Sequence, residues 1–137
     1  MKLLIILSTL LLTLIHCQSA DSIKPVHGQG LPGTWLLYET GYSPGAGYVV
    51  NKVPSQPAQT LTFTADGQMQ AQGERLRGYQ TFSTFRIDTV RTVAQIHYFP
   101  TSDSSSTYER INLSGDTLTL SSPFCIEGCH SAFLRIK

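Results

Sequence analysis

Gly33-Thr34-Trp35-Leu36-Leu37-Tyr38-Glu39 opens the first strand-like run of this chain, directly after a polar stretch. A glycine leads into aromatic and branched apolar residues, the composition that suits a pleated, half-buried surface. From Leu31 onward the same grammar repeats. Thr, Val, Tyr, Phe and Ile recur in short runs, punctuated by Gly, Pro, Asp and Ser. No stretch keeps a 3.6-residue apolar period long enough for a substantial helix.

Working outward, the first strand spans 34 to about 40. The Gly/Pro-rich connection behind it carries Ser43-Pro44-Gly45-Ala46-Gly47, then Pro54 and Pro57. It is the longest loop in the reading, and loops of that length are often lids or binding loops. Gln59-Thr60-Leu61-Thr62-Phe63-Thr64 alternates cleanly, with Leu61 and Phe63 on the inner face. Asp66-Gly67 signals a hairpin that returns the chain through Gln68 to Ala71. Runs 79–87 and 90–99 form the next pair, with a turn expected at Asp88-Thr89. Run 107–113 meets Ser114-Gly115-Asp116 and turns into 117–120, and 130–136 is the last strand. About eight strands at roughly ten-residue spacing predict an all-β, up-and-down antiparallel barrel, since closure removes exposed edges. A sandwich is the competing architecture.

The 137 residues suffice for one domain with one modest core. A net charge of +1, with only 14% charged residues and no Lys/Arg run, excludes the electrostatic footprint of a nucleic-acid binder. The N-terminus is of another kind. Lys2 precedes an apolar run, Leu3 to Ile15, broken by Ser8, Thr9 and Thr13. That run is short for a membrane span and reads as the core of a secretory signal. Leu14-Ile15-His16-Cys17 is similar to a bacterial lipoprotein box, in which Cys17 takes the lipid, although His16 departs from the usual small residue. Ordinary cleavage near Ser19 or Ala20 is the other route. The expected organisation is a signal peptide over 1–17, a polar tether over 18–30 and the barrel over 31–137. The expected location is the cell envelope as a membrane-anchored lipoprotein, or the periplasm or exterior if cleavage is ordinary.

Of three cysteines, either route removes Cys17 from disulfide chemistry, leaving Cys125 and Cys129 as a pair in an oxidising compartment. Gly128 supplies the tight turn a bridge there needs. Metal is the alternative for this Cys-x-x-x-Cys-His stretch, with His97 and Glu127 as the other volunteers for ligands. His130 is read as an ordinary strand residue beside the bridge.

Three stretches together support a resemblance. Leu31-Pro32-Gly33-Thr34-Trp35-Leu36-Leu37, Leu61-Thr62-Phe63-Thr64-Ala65-Asp66-Gly67 and Gly115-Asp116-Thr117-Leu118-Thr119-Leu120 look like the lipocalin-like domain of small exported bacterial proteins. The Cys125–Cys129 loop followed by Phe133-Leu134-Arg135-Ile136 resembles the close of many of those chains. The resemblance implies a barrel whose interior holds a small apolar ligand. It also makes Gly33, Trp35 and Arg135 a structural signature, with the guanidinium lying over the indole.

Inward positions of the strands give the cavity candidates Leu37, Leu61, Phe63, Phe85, Ile96, Tyr98, Leu118 and Leu120, with Tyr38, Tyr48 and Tyr79 near a mouth. The same side chains can equally fill the barrel as a solid core. No Gly-x-Ser-x-Gly elbow exists, and Asp66 and Asp116 are accounted for by turn chemistry, so no catalytic set, metal or cofactor is expected. The sequence therefore points to a monomeric envelope binding module for a small hydrophobic ligand. The alternative is a protein-interaction module, such as a barrel-type protease inhibitor, which a filled barrel with an exposed 43–57 loop would favour.

Overall fold

The computed structural model describes residues 30–102 and 105–136. The signal segment, the lipidation candidate Cys17 and nearly all of the tether lie outside the described residues. Nine strands are present: β1 (Gly33–Tyr42), β2 (Val49–Lys52), β3 (Thr60–Phe63), β4 (Met69–Gln72), β5 (Phe82–Val90), β6 (Val93–Pro100), β7 (Thr107–Ser114), β8 (Thr117–Ser121) and β9 (Cys129–Arg135). Eight of them run around one antiparallel sheet in the order β4-β3-β1-β9-β8-β7-β6-β5, and β2 pairs with the far half of β1 off this path. Thr84 of β5 bridges to Gln68, and the Phe85 amide donates to the Gly67 carbonyl at 2.9 Å. The barrel is thereby nearly closed, as an up-and-down array in chain order.

Register explains what fills it. Pairs Trp35↔Arg135, Leu37↔Phe133, Leu118↔Phe133, Leu113↔Leu118 and Ile96↔Glu109 place these side chains on the inner face. Trp35, Leu37, Leu61, Phe63, Ile96, Tyr98, Leu118, Leu120 and Phe133 are buried together in one cluster, and Phe85 packs against it. Phe63 and Phe85 meet edge to face at 5.0 Å between ring centroids. Trp35 is fully buried, and its indole N–H donates to the Leu31 carbonyl at 2.8 Å. The Arg135 guanidinium lies 4.1 Å from the indole centroid and donates through Nη1 to the Pro32 carbonyl at 2.7 Å and through Nη2 to the Gly30 carbonyl. The 30–32 segment, the β7–β8 turn and the β5–β6 turn all lie at this end, which is closed.

Three local expectations are corrected. The β5–β6 turn falls at Arg91-Thr92, both with positive φ (49° and 71°), rather than at Asp88-Thr89. Strand pairing continues through Thr89↔Ala94 and Val90↔Val93 because the long hairpin keeps its register to the tip. Residues 79–81 are not strand but the end of a kinked 3-10 segment, Glu74–Thr81. Gln59 pins that segment, accepting from the Arg75 amide at 2.9 Å and donating to the Pro57 carbonyl at 2.9 Å. The long 41–57 connection is not all loop either, since it contains β2.

Replacing Trp35 by Ala should destabilise the domain by about 3–5 kcal/mol, the cost of emptying a buried aromatic site. Urea unfolding of the two proteins measures this directly, and coincident midpoints would contradict the burial.

Candidate functional site

The opposite end of the barrel is open. The far end of β1, the β2 excursion, the 3-10 segment and the loop from Ser122 to Gly128 converge there. Cys125 and Cys129 are disulfide-bonded, with Cα atoms 5.7 Å apart. Ser43 Oγ donates to Glu127 Oε2 at 2.9 Å, so the long 43–57 connection is tied to the disulfide loop. Phe124 meets Tyr108 edge to face, and Tyr108 in turn stacks on His97 along the outer wall.

Two small cavities open inside this mouth. One, of about 240 Å³, is bounded by Thr40, Glu109, Leu120, His130 and Ser131. The other, of about 210 Å³, is bounded by Tyr79, Phe82, Tyr98, Tyr108 and Glu109. Glu109 and Ser122 belong to both. The hydroxyls of Tyr79 and Tyr98 each donate to Glu109 Oε2 at 2.9 Å. Burial pushes the Glu109 carboxyl up, while the two phenol hydrogen bonds, which favour the anion, partly oppose that rise. Tyr79 and Tyr98 are held well above the ordinary phenol range, first by burial and then by the nearby carboxylate.

A third and larger cavity, about 620 Å³, lies on the outer wall beneath the disulfide loop. A β-bulge between Leu37 and Glu39 builds it. The extra residue reverses the alternation, so Glu39 faces outward opposite Ala132 instead of into the barrel. His130 Nε2 and Glu39 Oε1 are 3.0 Å apart, and Lys52 Nζ donates to Glu39 Oε2. The Tyr48 hydroxyl bonds His130 Nδ1, and the two rings stack 5.7 Å apart. Gly41 makes room for this contact, since a Cβ there would lie 2.3 Å from His130 Cε1 and 2.5 Å from the Tyr48 hydroxyl. Lys52, then His130, holds the Glu39 carboxyl below the usual range, and Glu39 raises Lys52 in return. This chain of hydrogen bonds clasps β2 and its loop to the barrel wall. The carboxylate is engaged on both oxygens, so it is built to hold rather than to abstract a proton.

The sequence-derived residues divide accordingly. Leu37, Leu61, Phe63, Ile96, Tyr98, Leu118 and Leu120 are buried against one another. Of these, Tyr98 and Leu120 also border a mouth cavity. Arg135 and Trp35 lie at the closed end, away from every cavity named above. Tyr48 and Tyr79 stand at the open end. Tyr38 borders the outer cavity, with Lys52 Nζ 5.3 Å from its ring centroid. No group of three His, Cys, Asp or Glu suited to a metal occurs among the described residues. Glu109 and the Glu39–His130 pair carry the electrostatics and lie outside the sequence-derived site residues, whereas Tyr48 is among the expected mouth residues. An inward Glu on an otherwise alternating strand was the one visible signal for Glu109. No family model, curated protein or solved structure matches this chain.

Glu109 also predicts a pH dependence. Its carboxyl titrates higher in the folded protein than the ordinary 4.5 of the unfolded chain. Below that value both states hold the proton. As pH rises through the window up to the folded value, the unfolded state ionises first, so stability is progressively lost. Relative to Glu109→Gln, the wild type should therefore be most favoured in weak acid and lose that advantage toward neutrality. Urea unfolding of both proteins across this range tests it; parallel pH profiles would contradict it.

Proposed function

We propose that this barrel is a partner-binding module, and that it engages another exported protein through the rim of its open end. The carrying observation is the exposed apolar surface at the rim, where Tyr42, Tyr48, Val49, Val50, Phe124 and Ile126 gather; Ile87, Val90, Val93 and Leu113 are exposed away from it, on the β5–β6 hairpin and the end of β7. Ile126 is 99% exposed and Phe124 69%. Tyr42, Tyr48, Val49 and Val50 are exposed large side chains on the neighbouring β1–β2 excursion. Exposed apolar side chains gathered at a cluster of loops are a usual mark of a protein contact. These loops are also braced, by the disulfide, the Ser43–Glu127 hydrogen bond and the Tyr48–His130–Glu39 clasp, which lowers the ordering cost of binding. The filled lower barrel supports the same reading. An apolar ligand held among Leu37, Leu61, Phe63 and Leu118 would have to displace side chains already packed together, and the mouth cavities are smaller than the ~300–1,000 Å³ of drug-sized pockets. Inhibition of an exported protease is one form this contact takes in the reading.

A photoreactive residue placed at Phe124 or Ile126 in the native host should yield one discrete cross-linked partner. The same residue at Val93 or Leu113, exposed toward the closed end, should not. Identical adducts from both ends, or none from the rim, would reject the proposal.

Export and anchoring belong to this reading as well: a rim that captures an envelope protein works from a tethered barrel. Cys17→Ser should release the protein from the membrane fraction and change its mature mass. Unchanged fractionation and mass would instead indicate cleavage near Ser19 or Ala20.

A further inference from the structure

Among the described residues Glu109 is the one carboxylate that borders the mouth cavities, and nothing in the rim contact uses it. Both phenol hydroxyls that reach it converge on the same oxygen, Oε2. Oε1 takes no hydrogen bond among the described residues, and the side chain borders both mouth cavities. Among the described residues no Lys or Arg borders either cavity; His130 borders one, but its two ring nitrogens are engaged by Glu39 and Tyr48. Arg110, next in sequence, pairs with Ser121 in the register of β7 and β8 and borders the outer cavity instead. Around the carboxylate stand aromatic rings. Tyr79 meets Tyr98 edge to face at 5.7 Å, and Phe82 stacks on Tyr98 at 5.6 Å.

A half-buried carboxylate with an unused oxygen, no Lys or Arg beside it and an aromatic wall is complementary to one ligand chemistry. An ammonium supplies the missing counter-charge and hydrogen-bond donors, and aromatic faces attract the same charge. A neutral molecule would leave the carboxylate uncompensated, and an anion would be repelled. We propose that the barrel mouth binds a small primary amine as its ammonium ion, donating to Glu109 Oε1 with its tail against Tyr79, Phe82 and Tyr98. The cavity volumes, about 240 and 210 Å³, limit the ligand to a short-chain or single-ring amine. The two phenols hold the carboxylate in place, so the free oxygen is presented in a fixed direction. The site adjoins the rim at Tyr42, which borders one cavity, whereas Phe124 and Ile126 border neither.

The test is titration calorimetry of the full chain purified from its host, with 2-phenylethylamine and its neutral counterpart 2-phenylethanol. The amine should bind at least about tenfold more tightly than the alcohol. Glu109→Gln keeps an acceptor for the two hydroxyls and removes the charge, and it should bring the amine down to the level of the alcohol. Tyr79→Phe, which keeps the aromatic wall and the carboxylate, should retain the preference for the amine and guards against a folding defect in the first variant. Equal affinity for amine and alcohol, no saturable binding of the amine to the wild type, or full affinity in a folded Glu109→Gln protein would each overturn the proposal. The rim cross-linking experiment is unaffected by any of these outcomes.

Discussion

The guanidinium of Arg135 lying on the indole of Trp35 is the contact on which the rest of the barrel depends. It sits at the end of the ladder that pairs the first strand with the last, the pairing that brings the meander nearly to closure. A buried cation needs partners, and here Nη1 and Nη2 reach the Pro32 and Gly30 carbonyls, the indole face takes part of the charge, and Asp116 Oδ1 lies 3.7 Å from Nε as counter-charge. The contact therefore also fixes the chain leading into β1 as a cap across the end. With the lower interior filled by Leu, Ile and Phe side chains, the cavities that Glu109 borders and the braced loops lie at the other end.

That arrangement has a physical logic. Closing a small barrel of this length leaves little interior volume once aromatic side chains enter it. Stability is thus concentrated in the lower layers, where the register pairs Leu118 with Phe133 and Leu37 with Phe133. The upper layer can then tolerate costly groups. A half-buried carboxyl such as Glu109 is unfavourable in itself, and Tyr79 and Tyr98 offset part of that cost with two hydrogen bonds. On the outside, the bulge in β1 does comparable work by aiming Glu39 at His130, which holds the β2 excursion against the wall.

Much of this was legible in the sequence. The alternation in Thr60–Phe63, the turn at Asp66-Gly67 and the hairpin through Gly115 specify strands and their order, because period-two burial and turn chemistry are local properties. The pairing of Cys125 with Cys129 was legible for the same reason, being a matter of a short loop and a glycine. The site was less so. Strict alternation would turn Glu39 inward, and only the bulge, a property of the β1–β9 pairing, turns it out toward a histidine 91 residues away in sequence. The turn at Arg91-Thr92 was missed because neither residue is a typical turn former, and the positive φ at both is imposed by the long hairpin. The 3-10 segment Glu74–Thr81 has too little apolar periodicity to announce itself and is held by Gln59 from a distant loop.

The two features of the open end follow different rules of recognition, which is the reason to treat them as separate. The rim offers exposed apolar side chains on braced loops. Contact there gains mainly from removing hydrocarbon from water, a force without direction. The mouth offers a half-buried carboxylate beside two small cavities, where interaction is directional and sensitive to whether the visitor carries a compensating charge. A rim contact alone tolerates partners of many shapes; a fixed carboxylate beside a small cavity does not. On the two proposals, selectivity at this end of the molecule rests with Glu109 and its two phenols, and affinity for a macromolecular partner with Phe124, Ile126 and the β1–β2 excursion.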